Sequence, residues 1–264
     1  MLALLLSLPL CGTAVPALAQ AQDLPPGLVE ADLLPGWETA TGTRMTALRV
    51  ELDANWKTYW RAPGDAGIPP QFDFSRSQNV ASVAIHWPRP QVFDLNGMRS
   101  VGYLREMILP IEITPRDPAL PVEMEADVAM GICHDICVPV ELGLQMELSG
   151  PGAPDAQIRT ALTQRPETFR GQASCHIEPI ADGMRVTAEI KMPSLGAGEV
   201  GLFELNGAPV WISDSDNKRQ GGVLVTSADF VPEDAKPFAL DRSALTITVL
   251  GDQGRAVEIR GCKG

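Results

Sequence analysis

The chain has 264 residues, room for one large domain or two small ones, and 45% of them are hydrophobic, enough to bury a core. Its formal net charge is −12. With no basic patch and no aromatic-plus-arginine cluster, that charge speaks against nucleic-acid partners, whose phosphates would repel it.

In chain order, the first segment reads as an export leader. "MLALLLSLPLCGTAVPALA" carries no charged side chain and ends in Ala17-Leu18-Ala19, an A-x-A cleavage pattern. It lacks the positive n-region usual in leaders. A membrane anchor is the rival reading, but Pro9, Gly12 and Pro16 interrupt the segment and it is short for a span. Lipidation at Cys11 is disfavoured by the bulky Leu10 before it. We therefore expect residues 1–19 to be a signal peptide cleaved near Ala19. The mature chain is then expected in an oxidising, extracytoplasmic (periplasmic) compartment, and no later stretch suits a bilayer crossing.

From there to the end the hydrophobic period is two, the mark of half-buried strands. Leu48, Val50 and Leu52 alternate with polar neighbours, as do Val83, Ile85 and Trp87, then Met107, Leu109, Ile111 and Ile113. A Gly/Pro break, "SGPGAPDA" at 149–156, separates two halves, and residues 155–165 predict a short connecting helix capped by Asp155. In the second half Met184, Val186, Ala188, Ile190 and Met192 alternate, followed by Leu245, Ile247 and Val249, then Val257 and Ile259. Many short strands between Gly/Pro turns predict an all-β chain. The expected architecture is an immunoglobulin-like β-sandwich over 25–150, a linker with a short helix over 151–165, and a second, smaller β-sandwich-like domain over 166–264.

Near the end of the first half lies "MGICHDICVPV", residues 130–140. Before it Val122, Met124, Ala126, Val128 and Met130 are apolar; after it Val138, Val140, Leu142, Leu144, Met146 and Leu148 are. An antiparallel pairing about His134-Asp135-Ile136 sets Met130 against Val140, Val128 against Leu142 and Ala126 against Leu144, apolar on apolar throughout. It also sets Cys133 opposite Cys137. Both cysteines have odd numbers, which places them off the buried stripe, near the hairpin tip.

Without Cys11 four cysteines remain, and their spacing favours the pairs Cys133–Cys137 and Cys175–Cys262. The second pair would close a long loop, worth about 4–5 kcal/mol in the chain-entropy model, and reads as structural. The first closes a very small loop. It gains little as a staple, and strained or exposed disulfides are the labile ones. As a metal site, Cys133, Cys137 and His134, with Met130, are soft ligands suited to Cu(I). Zinc is less suited, since no second Cys/His cluster completes a tetrahedral set. His134 also reads as a plain turn residue or as a cation lowering a thiol pKa, with Asp135 acting the other way.

The segments "ANWKTYWRAPGDAGIPPQFDFSRSQNV", "WPRPQVFD", "GYLREMILPIEI" and "CHDICVP" occur in an order that resembles the N-terminal periplasmic domain of the disulfide interchange proteins DsbD and, more closely, ScsB. The resemblance covers roughly residues 28–150; the second half is similar to the extra β-rich portion of ScsB-type proteins. It implies an immunoglobulin-like sandwich that passes electrons by thiol–disulfide exchange through Cys133 and Cys137, with Cys137 the one that forms the mixed disulfide. It implies a cap loop at about 93–99, in which Phe93, Leu95 or Met98 shields the sulfurs. Trp56, Tyr59, Trp60 and Arg61 match the family's aromatic strand, and their simplest reading is packing. The Cys-x3-Cys spacing is shorter than in DsbD itself. The chain also ends where those relatives continue into a membrane electron-transfer domain and a thioredoxin-like domain. The resemblance thus implies a separate membrane thiol–disulfide donor of the DsbD/CcdA type and thioredoxin-like periplasmic partners, with no cofactor. Two alternatives stay open: a Cu(I)-handling protein using the same cysteines, and a non-catalytic module in which both disulfides are structural.

Overall fold

The computed structural model describes residues 24–65, 67–95, 98–171, 173–207 and 209–264. The leader expected at 1–19, with Cys11, lies outside the described residues, as does the Leu95 side chain. Among the described residues no helix is long and apolar enough to cross a membrane.

Ten strands precede the Gly/Pro break: β1 (Leu28–Glu38), β2 (Arg44–Leu52), β3 (Lys57–Tyr59), β4 (Gln71–Asp73), β5 (Val80–Ile85), β6 (Gln91–Leu95), β7 (Met98–Leu104), β8 (Glu106–Pro115), β9 (Val122–Cys133) and β10 (Cys137–Leu148). They form two sheets, ordered β1-β2-β8-β5 and β10-β9-β3-β7-β6, with β4 also on β9. Their inward residues share one core. Leu48, Val50, Leu109 and Ile111 of one sheet pack with Trp60, Val101, Met124 and Ile132 of the other. This is the sandwich that the period-two pattern predicts. Trp87 falls beyond β5, because Pro88 and Pro90 cannot extend a ladder. It still packs on the core, edge-on to Phe72 at 6.0 Å.

After the break comes α1 (Ala156–Thr163), whose N-cap Asp155 accepts the Ile158 N–H at 2.9 Å. Nine strands follow: β11 (Glu167–Thr168), β12 (Ala173–Ile180), β13 (Gly183–Lys191), β14 (Val200–Leu205), β15 (Val210–Ile212), β16 (Asp216–Gln220), β17 (Val223–Pro232), β18 (Leu245–Leu250) and β19 (Ala256–Arg260). They make the sheets β11-β19-β18-β14 and β12-β13-β17-β15, with β16 on β17. Val186, Ile190, Phe203, Phe230, Ile247 and Val249 fill the core between them.

One strand departs from the half-buried reading. Every residue of β18 is buried. Leu245, Ile247 and Val249 face the second core, as their alternation predicts. On the opposite face Leu250, with Leu202 and Val200 of β14 and Ala256 of β19, joins the first sandwich's core. The two sandwiches therefore share apolar surface.

Candidate redox site

The site begins with the longest hairpin of the chain. β9 and β10 pair without a register break from Val122↔Leu148 to Cys133↔Cys137, including Met130↔Val140, Val128↔Leu142 and Ala126↔Leu144. His134, Asp135 and Ile136 make the turn, closed by the His134 N–H donating to the Ile136 carbonyl at 3.2 Å. Cys133 and Cys137 are joined as a disulfide with their Cα atoms 4.1 Å apart.

The two ends of that bond differ in surroundings. Cys137 is exposed, and Ile136 beside it is 72% exposed. Cys133 is 1% exposed. Its odd number does keep it off the core stripe, where Met130 and Ile132 sit, but a pair exposed at both ends is not what forms. The cause is β3, which lies against β9 with Lys57↔Cys133 and Thr58↔Ile132 in register. Thr58 and Trp60 point into the core, so Lys57 and Tyr59 share the sulfur face.

Tyr59 is the residue that covers Cys133. Its hydroxyl donates to Cys133 Sγ at 2.9 Å and lies 3.3 Å from Cys137 Sγ. Burial raises its pKa, so the phenol keeps its proton at neutral pH and remains a donor. Gly131 makes room for the ring, since a Cβ there would stand 3.3 Å from Tyr59 Cε2 and 3.1 Å from Ile68. Reading the aromatic strand as packing holds for Trp60, which is fully buried, and misses Tyr59. Strand parity carries the missed signal: with Trp60 inward, Tyr59 must face outward, on the side of the odd-numbered cysteines.

The other expected site residues scatter. His134 Nδ1 lies 3.0 Å from Asp135 Oδ2, and its ring is 6.1 Å from that of Trp56. Met130 is buried in the core on the opposite face from the sulfurs. Among the described residues no three His, Cys, Asp or Glu side chains gather as a metal site, and the two sulfurs of the alternative Cu(I) set, Cys133 and Cys137 with His134, are joined to each other in the disulfide. In the expected cap segment, Phe93 of β6 pairs with Ser100 of β7, and its ring lies 5.0 Å from Lys57 Nζ. Met98 is 55% exposed.

In the second sandwich, Cys175 and Cys262 are bonded across 87 residues. The Cys175 N–H donates to the Lys263 carbonyl and the Lys263 N–H to the Ala173 carbonyl, so the last residues lie along β12.

Residues 30–147 match the family described as thiol:disulfide interchange protein DsbD, N-terminal. This segment of the chain belongs to that family. It holds Cys133, Cys137 and Tyr59 and stops at the end of β10, and the family's business is thiol–disulfide interchange. Among solved structures, the chain is similar to the N-terminal periplasmic domain of ScsB from Proteus mirabilis, with a TM-score of 0.61 and 24% identity. The match covers 89% of this chain and 91% of that one, so the likeness of fold extends through both sandwiches. A comparison with curated proteins gives no match.

The DsbD-type segment is tied to the second sandwich two residues beyond Tyr59. Arg61 stacks on Trp60 at 4.3 Å and donates to Glu204 of β14 at 2.8 and 3.0 Å and to Glu258 of β19 at 2.7 Å. All three side chains are less than a quarter exposed. Burial opposes the charges, but the Arg61 guanidinium prevails and holds the Glu258 carboxyl below the usual range.

Proposed function

We propose that the protein is a periplasmic thiol–disulfide exchange module that works through Cys133 and Cys137. It would relay reducing equivalents between a membrane thiol–disulfide donor and oxidised, thioredoxin-like partners. The observation that carries this reading is the asymmetry of the pair: one exposed sulfur-bearing residue, and one buried beneath a hydroxyl donor.

Exchange proceeds by thiolate attack on the accessible sulfur of a disulfide. An incoming thiolate attacks Cys137 Sγ. A new S–S bond forms to Cys137, the Cys133–Cys137 bond breaks, and its electron pair stays on Cys133 as a thiolate. Tyr59 already points its O–H at that atom and stabilises the charge. The incoming partner's second thiolate then attacks its own bonded sulfur and releases Cys137, completing a two-electron transfer. In the onward step Cys137 attacks the oxidised partner and Cys133 resolves. Phe93, Leu95 and Met98 belong to the hairpin that we assign as the cap over this face, and Cys175–Cys262 is assigned a structural role.

Trapping tests the order of attack. Cys133→Ser should leave a lone Cys137 that forms a stable mixed disulfide with oxidised glutathione within minutes. Cys137→Ser, whose remaining thiol is covered, should label at least tenfold more slowly. Cys175–Cys262 should remain closed in both variants. Equal labelling of both, or none in either, overturns the assignment.

A further inference from the structure

The exchange reading leaves one charged group on the sulfur face without a role. Lys57 is paired with Cys133 on one side and with Leu104 of β7 on the other. Its ammonium donates to Ser100 Oγ at 2.7 Å and lies 5.0 Å from the Phe93 ring. Ser100 is buried, and Phe93 and Ser100 face each other across the β6–β7 hairpin. Among the described residues no carboxylate lies within ion-pair distance of Lys57. The cation is half-buried with neutral partners only, and burial lowers its pKa accordingly.

Opening the disulfide changes the electrostatics on the next strand. The thiolate left on Cys133 is itself buried, and its Cα is one strand spacing from that of Lys57. A long unbranched side chain can swing between the two sides of its own strand by rotamer changes alone. An ion pair between an ammonium and a thiolate, both charged, is stronger than the same ammonium's hydrogen bond to a neutral hydroxyl or its cation–π contact with a phenyl ring.

We propose that Lys57 is a redox-responsive latch. In the disulfide state its ammonium holds Ser100 and Phe93 and fastens the β6–β7 hairpin. When the bond opens, the ammonium turns to the Cys133 thiolate, which it stabilises, and the hairpin is released. No proton moves in this step: the thiolate arises from the S–S electron pair and Lys57 stays protonated. Lys57 is thus a positioning residue that links the state of the sulfurs to access over them. The proposal rests on the exchange reading given above.

The test compares wild type, Lys57→Met, Lys57→Gln and Lys57→Arg in the full chain. The first readout is the equilibrium of Cys133–Cys137 against glutathione buffers. Lys57→Met and Lys57→Gln should shift it about tenfold toward the disulfide, equivalent to about 30 mV more negative, with Lys57→Arg restoring most of the shift. The second readout is amide hydrogen exchange in residues 98–104. In wild type it should quicken on reduction at least threefold; in Lys57→Met it should be equally fast in both states. If wild type exchanges with glutathione but the neutral variants match it within twofold, or if hairpin exchange ignores the redox state, the latch is wrong and the exchange reading stands. If the wild-type pair does not exchange at all, both fall.

Discussion

At the scale of single residues, reactivity depends on how unequally the two sulfurs are treated. A leaving thiol with a lower pKa leaves faster, and a hydrogen bond to the thiolate lowers that pKa. Tyr59 supplies such a bond to Cys133, the leaving sulfur when Cys137 is attacked. A hydrogen bond to a charged group is worth about 1.5–3 kcal/mol, and a sulfur acceptor takes the lower end of that range. Tyr59→Phe should therefore slow reduction by glutathione about tenfold at pH 7, since about 1.4 kcal/mol is one decade. It should also raise the Cys133 thiol pKa, read from thiolate absorbance on titrating the reduced protein. The ring stays in place over Gly131, so the thermal midpoint of the oxidised form should hardly move. A rate equal to wild type would remove Tyr59 from the chemistry.

At the scale of elements, the β9–β10 hairpin and the interior face of β18 were legible, and their outer faces were not. The hairpin register follows from matching apolar residues along one stripe, a local property of residues 122–148. Burial of Cys133 depends on β3, a three-residue strand too short to announce itself by periodicity, arriving from 74 residues away. The same limit hides the second face of β18. Thr246 and Thr248 alternate with Leu245, Ile247 and Val249 and read as a solvent face, yet both are buried. On that face Leu250, with Leu202 of β14, packs into the first sandwich's core, a contact that no pattern within β18 can reveal. Thr248 is fully buried and its hydroxyl has no hydrogen-bond partner. A buried unsatisfied hydroxyl costs about 1–3 kcal/mol, and valine has nearly the same shape. Thr248→Val should raise stability in urea by about 1 kcal/mol. Destabilisation would mean that the hydroxyl is satisfied, for instance by an interfacial water.

At the scale of the whole molecule, the second sandwich is joined to the strand that carries Tyr59 by apolar surface and by the Arg61 clamp. Removing one partner of a buried ion pair leaves the others uncompensated and costs about 3–5 kcal/mol. Arg61→Met would strand Glu204 and Glu258 together, so its loss should fall in that range. Acid should weaken the same clamp, with a sign fixed by Glu258. Its folded pKa lies below its ordinary value, chiefly because the Arg61 interactions outweigh its burial. A depressed folded pKa gives stability that is fully present above the unfolded value, about 4.3, and is lost as pH falls through the folded one. Glu258→Gln has no charge to lose, so its deficit relative to wild type should be largest near pH 6 and shrink steadily below pH 4. Thermal midpoints of the two proteins between pH 3 and 6 measure this directly. Converging curves at low pH place Glu258 in the clamp as a charge. Parallel curves would mean that Glu258 contributes only packing, and that the electrostatic part of the clamp is the Arg61–Glu204 pair alone.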